Sequence, residues 1–240
     1  MIYLYALAAA TTPAPGVPGI AGAPVTVTTV GDVAAFYSRH RRFDAVPDAP
    51  TLWIHESVVE AAMASGPVLP CRFGSTMGDE AEMIDMVERH SERIGRGLRH
   101  VEGRLELAVR ATRRVGSGGK GTDAPAHAGS GRSYLYGRLR QQRELDERRG
   151  RIEPVARTLD GALRPIASDA RVDVVPEPVP AVTAAYLVDD HDVDVFIHRT
   201  QDLARLLPEV DMVCTGPWPP YSFVPDLSPG AFRFPGRSCG

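Results

Sequence analysis

The spacing of apolar residues in the first half of the chain predicts several strands. Apolar residues run almost unbroken from Ile2 to Ala10, which is typical of a strand covered on both faces. Shorter apolar or alternating segments predict further strands at 25–30, 33–38, 68–73 and 105–111, with Gly31-Asp32 as a turn. The last of these alternates strictly, so Glu106 is expected on a solvent-facing side.

Two helices are predicted in the same half. Residues 51–65 place a set of side chains on one helical face and end at Gly66-Pro67; the set is Leu52, His55, Val59, Ala62 and Met63. In the second helix, Asp79 is a plausible N-cap with Glu82 three residues later, followed by an apolar stripe to Val101. The first half is therefore predicted to be α+β.

The second half predicts a small sheet with two helices. Residues 132–167 carry one apolar helical stripe, and strands are predicted at 172–175, 182–188 and 210–215. Residues 189–207 fit both a strand and a helix, and their length favours a helix ended by Pro208.

Glycine and proline mark where the chain divides. The 23 glycines and 21 prolines concentrate at 11–24, 116–131 and 216–240. The middle cluster has no periodic apolar residues, which is typical of a flexible linker. We expect an N-terminal α+β domain at 1–115, a Gly/Ser-rich linker at 116–131, a second domain at 132–224 and a tail at 225–240.

Composition excludes several classes of protein. With 27 basic and 30 acidic residues the net charge is −3, which provides no global field for nucleic acid or an anionic membrane. The three cysteines (Cys71, Cys214, Cys239) form no disulfide framework, and no apolar segment is long enough to cross a membrane. No charged residue precedes Asp32, so the apolar start lacks the basic part of a signal peptide. A cytoplasmic protein is expected.

No catalytic, metal or cofactor site is visible. The seven histidines form no i, i+4 pair, and there is no Cys-x-x-Cys. The acidic residues around His191 lack the pattern of a calcium loop and suit a helix N-terminus. Cys71 lies in an apolar strand and is predicted to be a core residue. Nucleotide-binding and hydrolase motifs are absent, so we predict a non-enzymatic protein without cofactor or metal.

Nucleic-acid binding is the main alternative from charge. Arginines cluster around His40, and six more lie between Arg138 and Arg151. Residues 189–211, however, carry seven acidic residues against two arginines, which would repel nucleic acid. Contact between the basic residues of 138–151 and the acidic residues of 189–211, within one protein or between two copies, accounts for both groups of charges. Nucleic-acid binding therefore ranks second.

The segment Thr215–Val224 allows two interpretations. Its three prolines favour an extended path, and Trp218, Tyr221 and Phe223 add large apolar area. The segment either crosses its own domain with the aromatic rings in the core, or presents a rigid aromatic strip to a partner.

This decamer resembles the signature near the end of gas vesicle proteins of the F/L family. Residues 66–75, Gly-Pro-Val-Leu-Pro-Cys-Arg-Phe-Gly-Ser, resemble a second block of that family. The Tyr-Leu-Tyr opening at 3–5 and the segment 131–135 also fit in order, so the resemblance covers about residues 1–224. It implies an N-terminal α+β domain and a C-terminal domain with a modified ferredoxin-like arrangement.

The resemblance also implies a function and a set of residues. It indicates an accessory protein of gas vesicle assembly that contacts the major gas vesicle structural protein, the shell protein, and other gas vesicle accessory proteins, without nucleic acid or membrane partners. The alternative is a ferredoxin-like regulatory module for nucleic acid or a small ligand. The residues expected to bind a partner or hold the signature are Arg72, Phe73, Gly74, Gly216, Pro217, Trp218, Pro219, Pro220, Tyr221 and Phe223. Arg72 is expected to pair with an acidic group beneath the Pro-rich segment.

Overall fold

A computed structural model describes residues 1–43, 47–114, 131–176 and 179–227, with the backbone alone for 131–137. The expected linker and most of the expected tail lie outside these residues. The chain divides into two compact units. Unit 1 contains Met1–Glu106 together with the chain from Trp218 onward, and unit 2 contains Leu107–Pro217. No helix among the described residues is long and apolar enough to cross a lipid bilayer.

The sheet of unit 1 is built around its first strand. Its strands are β1 (Ile2–Ala9), β2 (Thr26–Val30), β3 (Val33–Arg39), β4 (Val68–Pro70) and β5 (Thr76–Met77). The order is β2-β3-β1-β4, and β5 also pairs with β1, all in antiparallel register. Because β1 has neighbours on both sides and helices pack against it, it is buried almost throughout, as its unbroken apolar run predicts.

Helices α1 (Ala49–Met63) and α2 (Glu80–Val101) pack against this sheet. In α2 the Asp79 side chain caps the N–H of Glu82, and the predicted stripe is buried. In α1 the buried face is His55, Val58, Val59 and Ala62. The predicted face of α1 was wrong at Leu52, which is exposed.

Unit 2 has the element order β-α-β-β-α-β. Its elements are β6 (Arg104–Arg113, which begins in unit 1), α3 (Gly131–Leu163), β7 (Asp169–Val175), β8 (Ala181–Asp189), α4 (Val193–Leu206) and β9 (Val210–Trp218, which ends in unit 1). The sheet order is β7-β8-β6-β9, so the first strand lies between the third and the fourth. This is the split β-α-β topology of ferredoxin-like domains. Within residues 189–207, Val193–Leu206 forms the helix that the length predicts, while Asp189 ends β8 and Asp190–Asp192 form a 3-10 turn.

The units differ from the expected domains at two places. Leu107, Val109 and Ala111 of β6 join the apolar core of α3, β8 and α4, so this strand belongs to the second unit although it precedes the Gly-rich segment. Residues 218–227 belong to the first unit because their buried side chains complete it. Local composition contains no information on such long-range strand pairing, so it placed the domain boundary at the Gly-rich segment. The α+β class itself is confirmed.

Candidate functional site

A chain of hydrogen bonds links the start of the protein to the 66–75 block. The Gly74 N–H donates to the Tyr3 hydroxyl (3.2 Å), and the Tyr3 oxygen lies 2.8 Å from Nδ1 of His55. Nε2 of His55 lies 2.9 Å from the carbonyl oxygen of Cys71. A carbonyl only accepts, so Nε2 carries a proton. In the neutral imidazole Nδ1 then accepts from the Tyr3 hydroxyl, and this hydrogen-bond relay contains no charged group.

Burial reinforces this protonation state. Desolvation lowers the pKa of His55 to about 4 and raises the pKa of Tyr3 well above its usual value. It also raises the pKa of the Cys71 thiol to about 12, and Cys71 is buried in the core, as predicted. The hydrogen bonds of this relay connect α1, β1 and residues 66–75 through uncharged groups. Their role is to position these elements.

The three predicted site residues of the 66–75 block lie in different environments. Gly74 has φ of +87°, a conformation that glycine adopts readily and other residues resist. Phe73 is half-buried against the Tyr3 and His55 rings. The Arg72 side chain is exposed, and it forms no ion pair with any carboxylate of the described chain. The ion pair expected for Arg72 beneath the Pro-rich segment is therefore absent among the described residues.

Residues 218–227, which we call the strap, pack along unit 1. Pro219, Pro220, Phe223 and Leu227 are buried, whereas Trp218 keeps 37% of its surface exposed. Most of the strap closes the core, as the first interpretation of the decamer predicts, and Trp218 is partly exposed; its presentation to a partner stays a prediction. Before it, Gly216 has φ of +116°, which explains the glycine of the signature, and Pro217 is exposed.

Two carboxylates fasten the strap. Glu106 accepts two hydrogen bonds of 2.7 Å from Ser222, and it is buried rather than solvent-facing as predicted. Oε2 of Glu56 accepts a 2.7 Å hydrogen bond from the Tyr221 hydroxyl. Oε1 of Glu56 is buried and has no hydrogen-bond partner among the described residues. Desolvation raises the pKa of Glu56, and the Tyr221 hydroxyl partly offsets this effect.

A groove of about 560 Å³ lies between α1, the block and the strap. It is lined by Ala49, Leu52, Trp53, His55 and Glu56 of α1, by Arg72 and Phe73, and by Trp218 and Tyr221. Trp53 is 65% and Leu52 is 42% exposed. Large apolar side chains clustered at the surface are typical of a protein-interaction site.

The groove brings together four of the ten predicted site residues, namely Arg72, Phe73, Trp218 and Tyr221. Sequence reasoning missed Trp53, Leu52 and the two strap acids, Glu56 and Glu106. One signal for the first two was available, because α1 is apolar at 49, 52 and 53 as well as on its buried face. The acids carried no such signal, since their partners are 165 and 116 residues away in sequence.

Two further polar clusters lie on the surface of the described part of the chain. Asp189, His191 and Asp192 have ligand atoms within 4.8 Å of one another, but the cluster is largely solvent-facing and lies beside the start of α4. On α3, Arg140 pairs with Glu144 one turn later. Such i, i+4 pairs are usual on an exposed helix face.

Comparison with known proteins identifies the family. The sequence model described as gas vesicle synthesis protein GvpL/GvpF matches residues 1–225. The chain belongs to this family. It is 30% identical over 232 residues to gas vesicle protein L of Streptomyces sp. (strain CB03234), covering 87% of this chain and 86% of that protein. It is 27% identical over 215 residues to gas vesicle protein F of the same strain, covering 84% and 88%.

Solved structures support the fold. The crystal structure of GvpF from Anabaena sp. PCC7120 matches with a TM-score of 0.70 at 16% identity, covering 93% of this chain and 95% of that one. GvpF from Microcystis aeruginosa matches with a TM-score of 0.69 at 16% identity, covering 93% and 98%. The resemblance drawn from residues 66–75 and 215–224 is thus confirmed across nearly the whole chain.

Proposed function

We propose that the protein is a non-enzymatic assembly factor of gas vesicles that acts in the cytoplasm and at the vesicle, where it binds the major shell protein and other gas vesicle accessory proteins. Its family membership gives the biological setting. The observation that carries the binding proposal is that Trp218 and Trp53, both partly exposed, line one groove, while hydrogen bonds to two carboxylates hold the strap against the core.

Physical chemistry makes this surface suitable for an apolar protein partner. A tryptophan held in a rigid, proline-restricted segment loses little conformational entropy on binding, and its ring buries a large apolar area. Interface residues of this kind commonly contribute about 2 kcal/mol or more to binding. A shell protein that exposes apolar surface before it assembles would find on this groove a place that shields it from nonspecific aggregation.

The test is capture of co-expressed shell protein by the tagged chain, together with the accessory proteins, at low and high salt. We expect capture that resists salt and falls by about tenfold or more in Trp218→Ala. Leu206→Ala on α4 is the control, because this side chain is 71% exposed and lies outside the groove. It should retain capture.

Two outcomes contradict the proposal. Failure of the wild-type chain to capture any gas vesicle protein would remove the assembly function. Recovery of nucleic acid in place of protein, lost on neutralising Arg140 and Arg143, would instead support the regulatory alternative.

A further inference from the structure

A second concave surface of unit 1 lies between α2 and the turn that joins β2 to β3. It encloses about 690 Å³, and we call it the cleft. Residues 30–33 form its turn side. Its α2 side shares no residue with the groove beside the strap and consists of Glu88, Ser91, Glu92, Gly95, Arg96 and Arg99.

The charges on the α2 side of the cleft are separated by sign along the helix. Glu88 and Glu92 lie towards its N-terminus, Arg96 and Arg99 lie towards its C-terminus, and all four are exposed. Arg96 lies 4.0 Å from Glu92 of its own chain, and such exposed pairs contribute little to stability. Glu88 and Arg99 form no ion pair with the described part of the chain. These charges are therefore available to a partner.

We infer that the cleft binds a second copy of this chain, with the two α2 helices antiparallel across a two-fold axis. Such an axis brings the same surface of both copies together. Glu88 then faces Arg99 of the second copy, and Glu92 faces Arg96 of the second copy. One axis satisfies both pairings, because each pair is centred at the level of Ile94 along the helix. The axis repeats each pair, so the contact contains four ion pairs between copies.

The side chains nearest this axis are small. Ser91 and Gly95 lie one turn apart on the cleft side of α2, close to the level of the axis. A Cβ on Gly95 would meet nothing closer than 3.6 Å, so the chain itself leaves this face open. Helices that meet at small residues approach to about 8 Å between their axes. The acids and arginines on both sides of the crossing point are then within reach of their partners.

Other occupants fit the cleft less well. With Asp32 of the turn it contains three acids and two arginines, which disfavours phosphate groups and nucleic acid. An apolar partner would remove four charges from water without pairing them. A parallel second helix would place like charges opposite each other. The antiparallel second copy is the arrangement that pairs all four charges of α2.

The size of the contact predicts a weak dimer. Helix α2 has 22 residues and is about 33 Å long. One helix–helix contact of this length buries less than the roughly 800 Å² per partner of a standard interface. The dimer should therefore form at high protein concentration and depend on salt. This inference is independent of the proposed function, since neither the shell protein nor the groove takes part in it.

The first test is the mass of the wild-type chain in sedimentation equilibrium, over a concentration series up to about 1 mM. We expect a dimer at roughly 50 mM salt and a monomer at roughly 1 M salt, where ion pairs are strongly screened. A wild-type chain that is monomeric at every concentration in low salt would overturn the inference. So would a dimer that is equally stable at both salt concentrations.

Charge reversal then locates the contact. Arg96→Glu with Arg99→Glu makes the cleft side of α2 acidic, and Glu88→Arg with Glu92→Arg makes it basic. We expect each double variant to be monomeric alone, because its like charges repel in the dimer. A mixture of the two should form a heterodimer, because all four pairs are restored with their signs exchanged. A mixture of folded variants that stays monomeric would overturn the inference.

The matched control reverses two arginines of α2 outside the cleft. Arg89→Glu with Arg93→Glu changes the net charge by the same amount, and both residues are exposed. This control should dimerise as the wild-type chain does, and its loss of the dimer would overturn the assignment to the cleft. Thermal unfolding shows whether each variant has folded. If a variant has not, the wild-type salt series still decides. Shell-protein capture by the monomeric variants tests the proposed function separately.

Discussion

The carboxylate of Glu106 accepts two hydrogen bonds of 2.7 Å from Ser222, one from its N–H and one from its hydroxyl. Glu106 is only 7% exposed, so this pairing compensates a buried charge that would otherwise be costly. It fixes the short 3-10 turn Tyr221–Phe223, and with it the position of Tyr221 in the groove. One buried acid on β6 thus links the stability of unit 1 to the shape of the groove.

Removing this acid should destabilise the protein strongly. Glu106→Ala leaves two donors of Ser222 without their acceptor, and we expect a loss of about 2–4 kcal/mol in the free energy of unfolding. Glu106→Gln keeps one acceptor and should lose less. Denaturant unfolding measures both, with the exposed Glu102→Ala as control within about 0.5 kcal/mol of wild type. A Glu106→Ala variant as stable as the control would contradict this account of the strap.

Two glycines of α2 should respond oppositely to alanine. A Cβ on Gly97 would lie 3.0 Å from side-chain carbons of Leu69 and of Pro225 in the strap, whereas one on Gly95 would meet nothing closer than 3.6 Å. We expect Gly95→Ala to stabilise the protein by about 0.5–1 kcal/mol through helix propensity. Gly97→Ala should destabilise it by about 1–2 kcal/mol through overpacking. Thermal unfolding of the two variants measures these effects. Equal shifts of their midpoint temperatures would show that the strap does not pack tightly against α2.

The neutral His55 should make stability depend on pH. Its pKa is about 4 in the folded protein against 6.5 for the free side chain, so the unfolded chain binds more protons between these values. The free energy of unfolding should therefore fall as the pH is lowered from 6.5 to 4, by up to about 3 kcal/mol from this group. The raised pKa of Glu56 acts in the opposite direction at the acidic end and offsets part of the loss.

Variants isolate the contribution of His55. Glutamine offers both an acceptor for Tyr3 and a donor for the Cys71 carbonyl without titrating, so His55→Gln should flatten the pH dependence. Some slope should remain, because burial also lowers the pKa of His40. If His55→Gln follows the same profile as wild type, the relay does not hold a neutral imidazole.

Local pattern was sufficient for much of the fold. The run Ile2–Ala10, the Asp79 cap and the stripe ending at Val101 each depend on residues close in sequence, and each predicted its element correctly. The assignment of 105–111 to the first half failed because β6 pairs with strands that follow the Gly-rich segment. Glu106 illustrates the same limit: alternation placed it in solvent, and a residue 116 positions later buries it.

The site was predictable only in part. The aromatic, proline-rich composition of 215–224 indicated either a core strap or a partner surface. Burial places Phe223 in the core and leaves Trp218 partly exposed, so the partner surface stays a prediction. Trp53 was missed because a tryptophan on an amphipathic helix is usually a core residue. Its exposure depends on which face of α1 packs against the core. That face is set by the hydrogen bond between Tyr3 and His55, which are 52 residues apart in sequence.

The most direct test of the central claim is fluorine NMR of the chain labelled with fluorotryptophan, alone and in complex with unlabelled shell protein. The chain contains two tryptophans, so two resonances are expected, assigned with Trp53→Phe. If the groove binds the shell protein, both resonances should shift and lose solvent accessibility on complex formation. A complex that forms while both resonances stay unchanged would contradict the account, because the shell protein would then bind elsewhere on the molecule.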